Sequence, residues 1–361
     1  MSAYKELADA YQDKTVFITG HTGFKGAWLS LWLESLGARV IGYSLDPPTI
    51  PSLFDVLQLG DRIIDIRGDI QDRNTLLDQI KKYRPEYIFH LAAQPLVRLS
   101  YQNPLETFAI NVIGTVNVLE SIRTLRFPTT CVCITSDKCY ENRGVVHAYQ
   151  ETDPLGGHDP YSASKGAAEI AISSYRKSFF HNGKGEPLVS LSSARAGNII
   201  GGGDWAPDRI VPDCIRALVK GEPVVLRNPH AVRPWQYVLD PLYGYLLLGL
   251  KMQEKPREYA EAWNFGPHHG NAVDVQTLVE NLLKEWGSGT WELDAHQERR
   301  PHEAAYLLLD ISKSKERLGW DPSYDITGGI RRTVEWYKEY YAQSGDINEY
   351  SLGLITEFYR H

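Results

Sequence analysis

The sequence predicts an α/β protein: a Rossmann-type doubly wound parallel sheet with a smaller C-terminal substrate-binding lobe. Three observations predict it. Short β-branched runs alternate with segments of helical periodicity through the first half of the chain. A glycine cluster, Gly20-His21-Thr22-Gly23-Phe24-Lys25-Gly26, lies at the first strand-to-helix turn. The apolar run Cys131 to Ile134 reads as a strand buried on both faces.

In order, Thr15 to Thr19 is the first strand and Ala27 to Leu36 the helix after the glycines. Gly20, Gly23 and Gly26 let the backbone approach a pyrophosphate, whose charge meets free N–H groups at the helix start. Arg39 to Tyr43 is the second strand. The acidic residue that would bind the ribose hydroxyls of NAD is expected near Ser44, but the first carboxylate is Asp46. Lys25 and Arg39 are alternative partners for a 2′-phosphate, so this stretch leaves NAD and NADP both open. Ile63 to Ile66 is the third strand, closing on Gly68-Asp69-Ile70, where Asp69 either meets an adenine amino group or caps the helix beginning near Asn74. Tyr87 to Leu91 is the fourth, continuing into Ala92 and Ala93, small enough for a flat cofactor to lie against them. Ala109 to Arg123 is a helix carrying Asn111 and Asn117.

After the strand Cys131 to Ile134 comes Thr135-Ser136-Asp137-Lys138, and Tyr161-Ser162-Ala163-Ser164-Lys165 opens an amphipathic helix. Tyr161 and Lys165 form the only Tyr-x-x-x-Lys in the chain, one helical turn apart on one face. An ammonium there is expected to lower the phenol's pKa and make it a base for an alcohol.

Leu188 to Arg195 is a sixth strand. Gly201-Gly202-Gly203 and Trp205 then break regularity, so the lobe is placed from 198 to 361, against a cofactor domain over 1–197 with returning segments near 235–265. Ile210 to Lys220, Asp240 to Met252, Asp274 to Trp286 and Ile326 to Tyr341 are helices, the last with Trp336 as packing. Trp263 to Gly266 ends another strand, and Leu307 to Asp310 is a short strand whose Asp310 caps Ile311 to Leu318. The tail from Ser344 carries no signal.

Composition narrows the function. The 361 residues have room for a large core, and a net charge of −7 with a pI of about 5.9 argues against a nucleic-acid surface. No apolar stretch approaches a membrane span and the N-terminus lacks a signal pattern, so a cytoplasmic protein without membrane partners is expected. The four cysteines, with Cys131 and Cys133 on one strand, read as reduced thiols. Neither His-x-x-x-His nor Cys-x-x-Cys occurs, so no metal site is expected.

Taken jointly, the glycine turn, His90-Leu91-Ala92-Ala93, Thr135-Ser136-Asp137 and Tyr161-x-x-x-Lys165 resemble an extended short-chain dehydrogenase/reductase over nearly the whole chain. Within it the chain is similar to the nucleotide-sugar 4,6-dehydratases, above all the branch acting on CDP-glucose. The similarity rests on Thr135 to Tyr140, Arg195-Ala196-Gly197-Asn198 through Gly203-Asp204-Trp205, and Arg233-Pro234-Trp235-Gln236-Tyr237-Val238-Leu239-Asp240. Lys138 stands where the usual pattern has Glu.

The resemblance implies an NAD-dependent hydro-lyase that turns CDP-glucose into its 4-dehydro-6-deoxy product, supplying deoxysugars for surface polysaccharide. It implies that Gly20, Thr22, Gly23, Phe24, Lys25, Gly26, Ser44, Asp69, Ile70, Leu91, Ala92 and Ala93 bind NAD together with Tyr161 and Lys165. Tyr161 takes the C4 hydroxyl proton, Ser136 hydrogen-bonds the developing carbonyl, and Asp137 protonates the departing C6 hydroxyl. Lys138, buried beside Lys165, is the expected C5 base; holding substrate or orienting Asp137 are its other readings. Arg233 and Arg300, with Asn198 and more weakly Arg209, are implied to hold the diphosphate. Pairing through the helices of Asn111 and Tyr161 implies a homodimer or homotetramer. A nucleotide-sugar 4-epimerase, a dehydratase of another nucleotide sugar, and a non-enzymatic NAD-binding protein are the alternatives.

Overall fold

The computed structural model describes residues 3–181, 187–268, 270, 272–294 and 306–360. Its main sheet has seven parallel strands: β1 (Thr15–Thr19), β2 (Arg39–Ser44), β3 (Ile64–Arg67), β4 (Tyr87–His90), β5 (Thr129–Ile134), β6 (Val189–Ala196) and β7 (Ala262–Phe265). Their order is β7-β6-β5-β4-β1-β2-β3. The doubly wound expectation holds, because each long apolar run is covered on both faces. In β5, Val132 and Ile134 join one hydrophobic core and Cys131 and Cys133 the other. The two thiols are free and 3.9 Å apart.

Strand order reverses between β1 and β4, so the loops leaving these neighbours diverge and open a crevice beyond their carboxyl ends. Helix α1 (Phe24–Ser35) follows β1 and starts earlier than the sequence suggested. Gly23 is its extended N-cap, with no side-chain cap over the first N–H groups. Gly20 has φ +79, and a Cβ there would come 2.6 Å from the Ala92 nitrogen. Only glycine brings the two loops this close.

Helix α2 (Pro160–Tyr175) is set by Asp159, whose carboxylate accepts from Ser162 N, and by Pro160 in its first turn. Helix α3 (Ile210–Lys220) lies in the second half, where short strand pairs join Ile199–Ile200 to Gln236–Tyr237 and Val224–Leu226 to Trp291–Leu293. Helix α4 (Leu239–Glu254) returns to pack on β5 and β6.

Several local readings are corrected. Asp72, not Asp69, caps Arg73–Tyr83; the Asp69 carboxylate instead accepts from Gln71 N. The helix read over 109–123 is π-helical from Ala109 to Gly114, where Gly114 packs against Ile70. Two further helices bracket the chain, Ala3–Tyr11 and Ile347–Phe358, the latter packing Phe358 edge-on to Trp32 at 5.4 Å. Trp336 is core, stacked on Tyr340 and close under Gly202.

Candidate active site

A cavity of about 420 Å³ opens beyond the β1–β4 crevice. Phe24 and Lys25 of α1, Ser136 and Lys138 after β5, Tyr161 of α2, and Asn198, Arg209 and Arg233 of the second half all line it. Phe24 and Arg233, at opposite ends of this set in the chain, thus meet through topology alone.

Ser136 ends the strand in extended conformation, and its hydroxyl donates to Asp137 Oδ1 at 2.9 Å. The same hydroxyl lies near enough to the Tyr161 phenol to favour its ionised form. Asp137 is buried just behind the wall made by its neighbours, and its Oδ2 has no hydrogen-bond partner. A Cβ on cavity-lining Gly197 would approach that oxygen to 3.1 Å.

Tyr161 departs from the simple expectation. Its pKa is pushed up to about 12, first by burial, which the nearby Ser136 hydroxyl opposes and the Asp137 carboxylate reinforces. Lys165 Nζ lies 6.0 Å from the phenol ring centroid. That ammonium is itself lowered to about 8 by burial, against the pull of Glu169. In the ligand-free chain Lys165 therefore does not hold the phenol near its anion.

Lys138 departs too. Its side chain is a quarter exposed rather than buried, and sits 3.8 Å from Asp137 Oδ1. The cation facing Lys165 is Lys25, half-buried in the cavity wall and lowered to about 7 by burial, then by Lys165 and Arg209. This corrects the pairing of Lys25 and Arg39 as 2′-phosphate ligands, because Arg39 begins β2 at its opposite, amino end. The cation at the carboxyl end is Arg67, which donates to Leu45 O and Asp65 and lies 3.7 Å from Asp46.

The loop and its neighbours fit a dinucleotide. Uncapped N–H groups open α1, Gly20 and Gly26 leave no room for side chains, and Thr22 Oγ1 meets Ser44 Oγ at 2.9 Å at the end of β2. Ala92 N donates to Thr19 Oγ1, and His90 bridges Thr19 and Thr115, fixing the Leu91-Ala92-Ala93 turn. Ile70 is buried, its carbonyl held by Asn117.

On the second-half side, Asn198 presents a buried, unpartnered Oδ1, and Arg209 pairs with Asp204 at 2.8 Å. Arg233 is buried in the cavity wall. Arg300 lies outside the described residues.

The sequence reading missed the support beneath these groups. Glu169, four residues after Lys165, accepts from Thr135 Oγ1 (2.5 Å), Ser193 Oγ (2.8 Å) and Arg195 Nη2 (2.7 Å). Arg195 reaches on to the Tyr140 hydroxyl, which donates to Asn264. The i+4 spacing from Lys165 was the available signal. Asn111 similarly ties Gln94 to Ser164 of α2.

A family model for GDP-mannose 4,6-dehydratase matches residues 17–333. The chain belongs to that family. Among relatives, the CDP-glucose 4,6-dehydratase of Salmonella typhimurium is 49% identical over 330 residues, 91% of each chain. A dTDP-glucose 4,6-dehydratase of Xanthomonas campestris is 28% identical, covering 90% of this chain and 93% of its own. Among solved structures, a UDP-glucose 4-epimerase of Thermotoga maritima superposes with a TM-score of 0.77 at 23% identity, covering 91% of this chain and 99% of the other. A dTDP-glucose 4,6-dehydratase of Bacillus anthracis in complex with NAD gives 0.72 at 21%, covering 90% and 97%. That dehydratase thus shares this chain's fold.

Proposed function

We propose that this member of the family is an NAD-dependent CDP-glucose 4,6-dehydratase, forming CDP-4-dehydro-6-deoxy-D-glucose and water. The observation that carries the reading is Ser136, Lys138 and Tyr161 lining one cavity with Asp137 bonded to Ser136 just behind its wall, in a chain 49% identical to a dehydratase of that name. An epimerase needs only the Tyr, Lys and Ser; an added acid and amine suit an elimination.

Held by the glycine turn and the start of α1, NAD would supply the hydride acceptor for C4 and the hydride donor for C6. The chain's own residues handle the protons. Loss of water makes the C4 hydroxyl proton surplus while the departing C6 oxygen needs one. Tyr161, Ser136 and Asp137 stand in line between those needs, with Ser136 hydrogen-bonded to Asp137 and acting on the Tyr161 phenol. As Tyr161 accepts the C4 proton it passes its own to Ser136, which passes one to Asp137, the acid at C6. A phenol near pKa 12 then works without becoming a free phenolate. Lys138 removes the C5 proton, made acidic by the ketone, and returns one there afterwards.

Incubating the protein with NAD and a panel of CDP-, dTDP-, GDP- and UDP-glucose tests this reading. A product 18 mass units lighter (roughly one water), absorbing as a 4-ketosugar in alkali, is expected from CDP-glucose first. An unchanged mass with inverted C4 means an epimerase. Normal solvent exchange at C5 in Lys138→Ala removes Lys138 as base.

We also propose a cytoplasmic homodimer or homotetramer serving deoxysugar supply for surface polysaccharide. Leu105, Ile113 and Ile170 are exposed on the run Pro104–Arg123 and on α2, a self-complementary apolar face for a second copy. That run is the one described helix long and apolar enough to span a membrane, and 44% of its window is buried in the fold.

A further inference from the structure

Six cationic side chains and four carboxylates line the cavity, an excess of two positive charges that suits a diphosphate. Two of the six, Arg98 and Arg227, have no role in the account above. Arg98 lies in the short helix Val97–Gln102 after β4, on the sheet side; Arg227 follows the strand Val224–Leu226, on the other side. Both reach one carboxylate. Arg98 Nη1 lies 3.2 Å and Arg227 Nη1 2.8 Å from Asp208 Oδ1. Arg227 also meets Asp213 at 2.9 Å, and Asp213 pairs with Arg216.

We propose that Arg98 and Arg227 are a diphosphate-binding pair, and that Asp208 is an internal anion holding them until the substrate's phosphate displaces it. The inference rests on the nucleotide-sugar reading. Two guanidiniums converging on a single oxygen from opposite walls reproduce what a bridging phosphate oxygen would meet. Asp208 is suited to leave. It is a non-glycine residue at φ +60, and its side chain is 39% exposed beside water. Its neighbour Arg209 is held separately by Asp204, so Asp208 can turn away without losing that contact. Exposed pairs of this kind contribute little stability, so exchanging the carboxylate for a doubly charged ligand is favourable.

The test is calorimetric titration of the full chain with inorganic pyrophosphate and with CDP, at two salt concentrations, alongside KM for CDP-glucose. Asp208→Asn and Asp208→Gly, both at ease in left-handed backbone, are expected to bind pyrophosphate about five- to tenfold tighter. Arg98→Met and Arg227→Met are expected to bind it about tenfold weaker and to raise KM with kcat nearly unchanged. Melting temperatures report whether each variant is folded. Unchanged or weaker binding in both folded Asp208 variants overturns the displacement, and unchanged binding in both Arg variants overturns the pair. If the wild-type chain converts no nucleotide sugar while pyrophosphate binding responds as expected, the pair stands and the dehydratase reading falls.

Discussion

Ser136 Oγ donates to Asp137 Oδ1 across 2.9 Å and also lowers the Tyr161 phenol's pKa, so a single hydroxyl stands between the proposed base and the proposed acid. Because the phenol is raised by burial, the relay matters more than it would for a ready phenolate. Ser136→Ala is expected to lower kcat about 10²–10³-fold with little change in KM, as removal of one oriented donor does elsewhere. Asp137→Asn should spare the initial oxidation and stop the elimination. Stopped-flow absorbance at the reduced nicotinamide separates the two, accumulating in the Asp137 variant and failing to form in the Ser136 variant.

Lys25 puts a costly charge in the cavity wall. Its folded pKa is about 7 against an unfolded value near 10.5, so between those values the unfolded chain holds more protons and stability rises with pH. Below pH 7 both states are protonated and the full penalty applies; above 10.5 neither is. Lys25→Met is therefore expected to stabilise the ligand-free chain by on the order of a few kcal/mol at pH 6. The gain should shrink toward pH 10. Urea unfolding of both proteins across that range checks the slope.

The division between what the sequence disclosed and what it hid follows from interaction range. The β1 turn, β5 and the Tyr161–Lys165 face are local patterns, so glycine spacing, apolar runs and the four-residue repeat disclosed them. What Lys25 faces is decided by where α1 and α2 meet, which no chain count contains; the same holds for Lys138, whose ammonium meets Asp137 and stays partly exposed. The helix Ile347–Phe358 was silent for the same reason. A twelve-residue helix is marginal alone, and its partner Trp32 lies more than 300 positions away. Asp69 and Asp72 compete as caps three residues apart, and only the path of the turn decides between them.

Glu169 and Arg195 form a buried ion pair under the site. Burial alone would raise the Glu169 carboxyl, but Arg195, Thr135 and Ser193 more than offset it and hold it below the ordinary range. Glu169→Gln leaves Arg195 without its counter-charge and is expected to destabilise the fold by about 3–5 kcal/mol. Part of that should return in the Glu169→Gln/Arg195→Met double variant, where no buried charge is stranded. Glu169 also works against the desolvation that brings Lys165 down to about 8. The alkaline limb of kcat should therefore move to lower pH in Glu169→Gln, a shift that a loss of stability alone would not produce.

The apolar face of Pro104–Arg123 and α2 gives the last prediction. Leu105 is 84% exposed, Ile113 56% and Ile170 58%, yet Asn111 and Ser164 on the same two helices are buried and bonded to each other. The inner faces thus hold the site together while the outer faces have no cover in a single copy. Burying three such side chains contributes about 1.5–3 kcal/mol each, enough to favour association when a second copy presents the same face. Ile113→Glu places a charge on that face and is expected to leave the chain monomeric by light scattering where the wild type pairs. Since Asn111 ties Ser164 to Gln94, the monomer should also lose activity, through looser placement of Lys165, without losing its fold by circular dichroism.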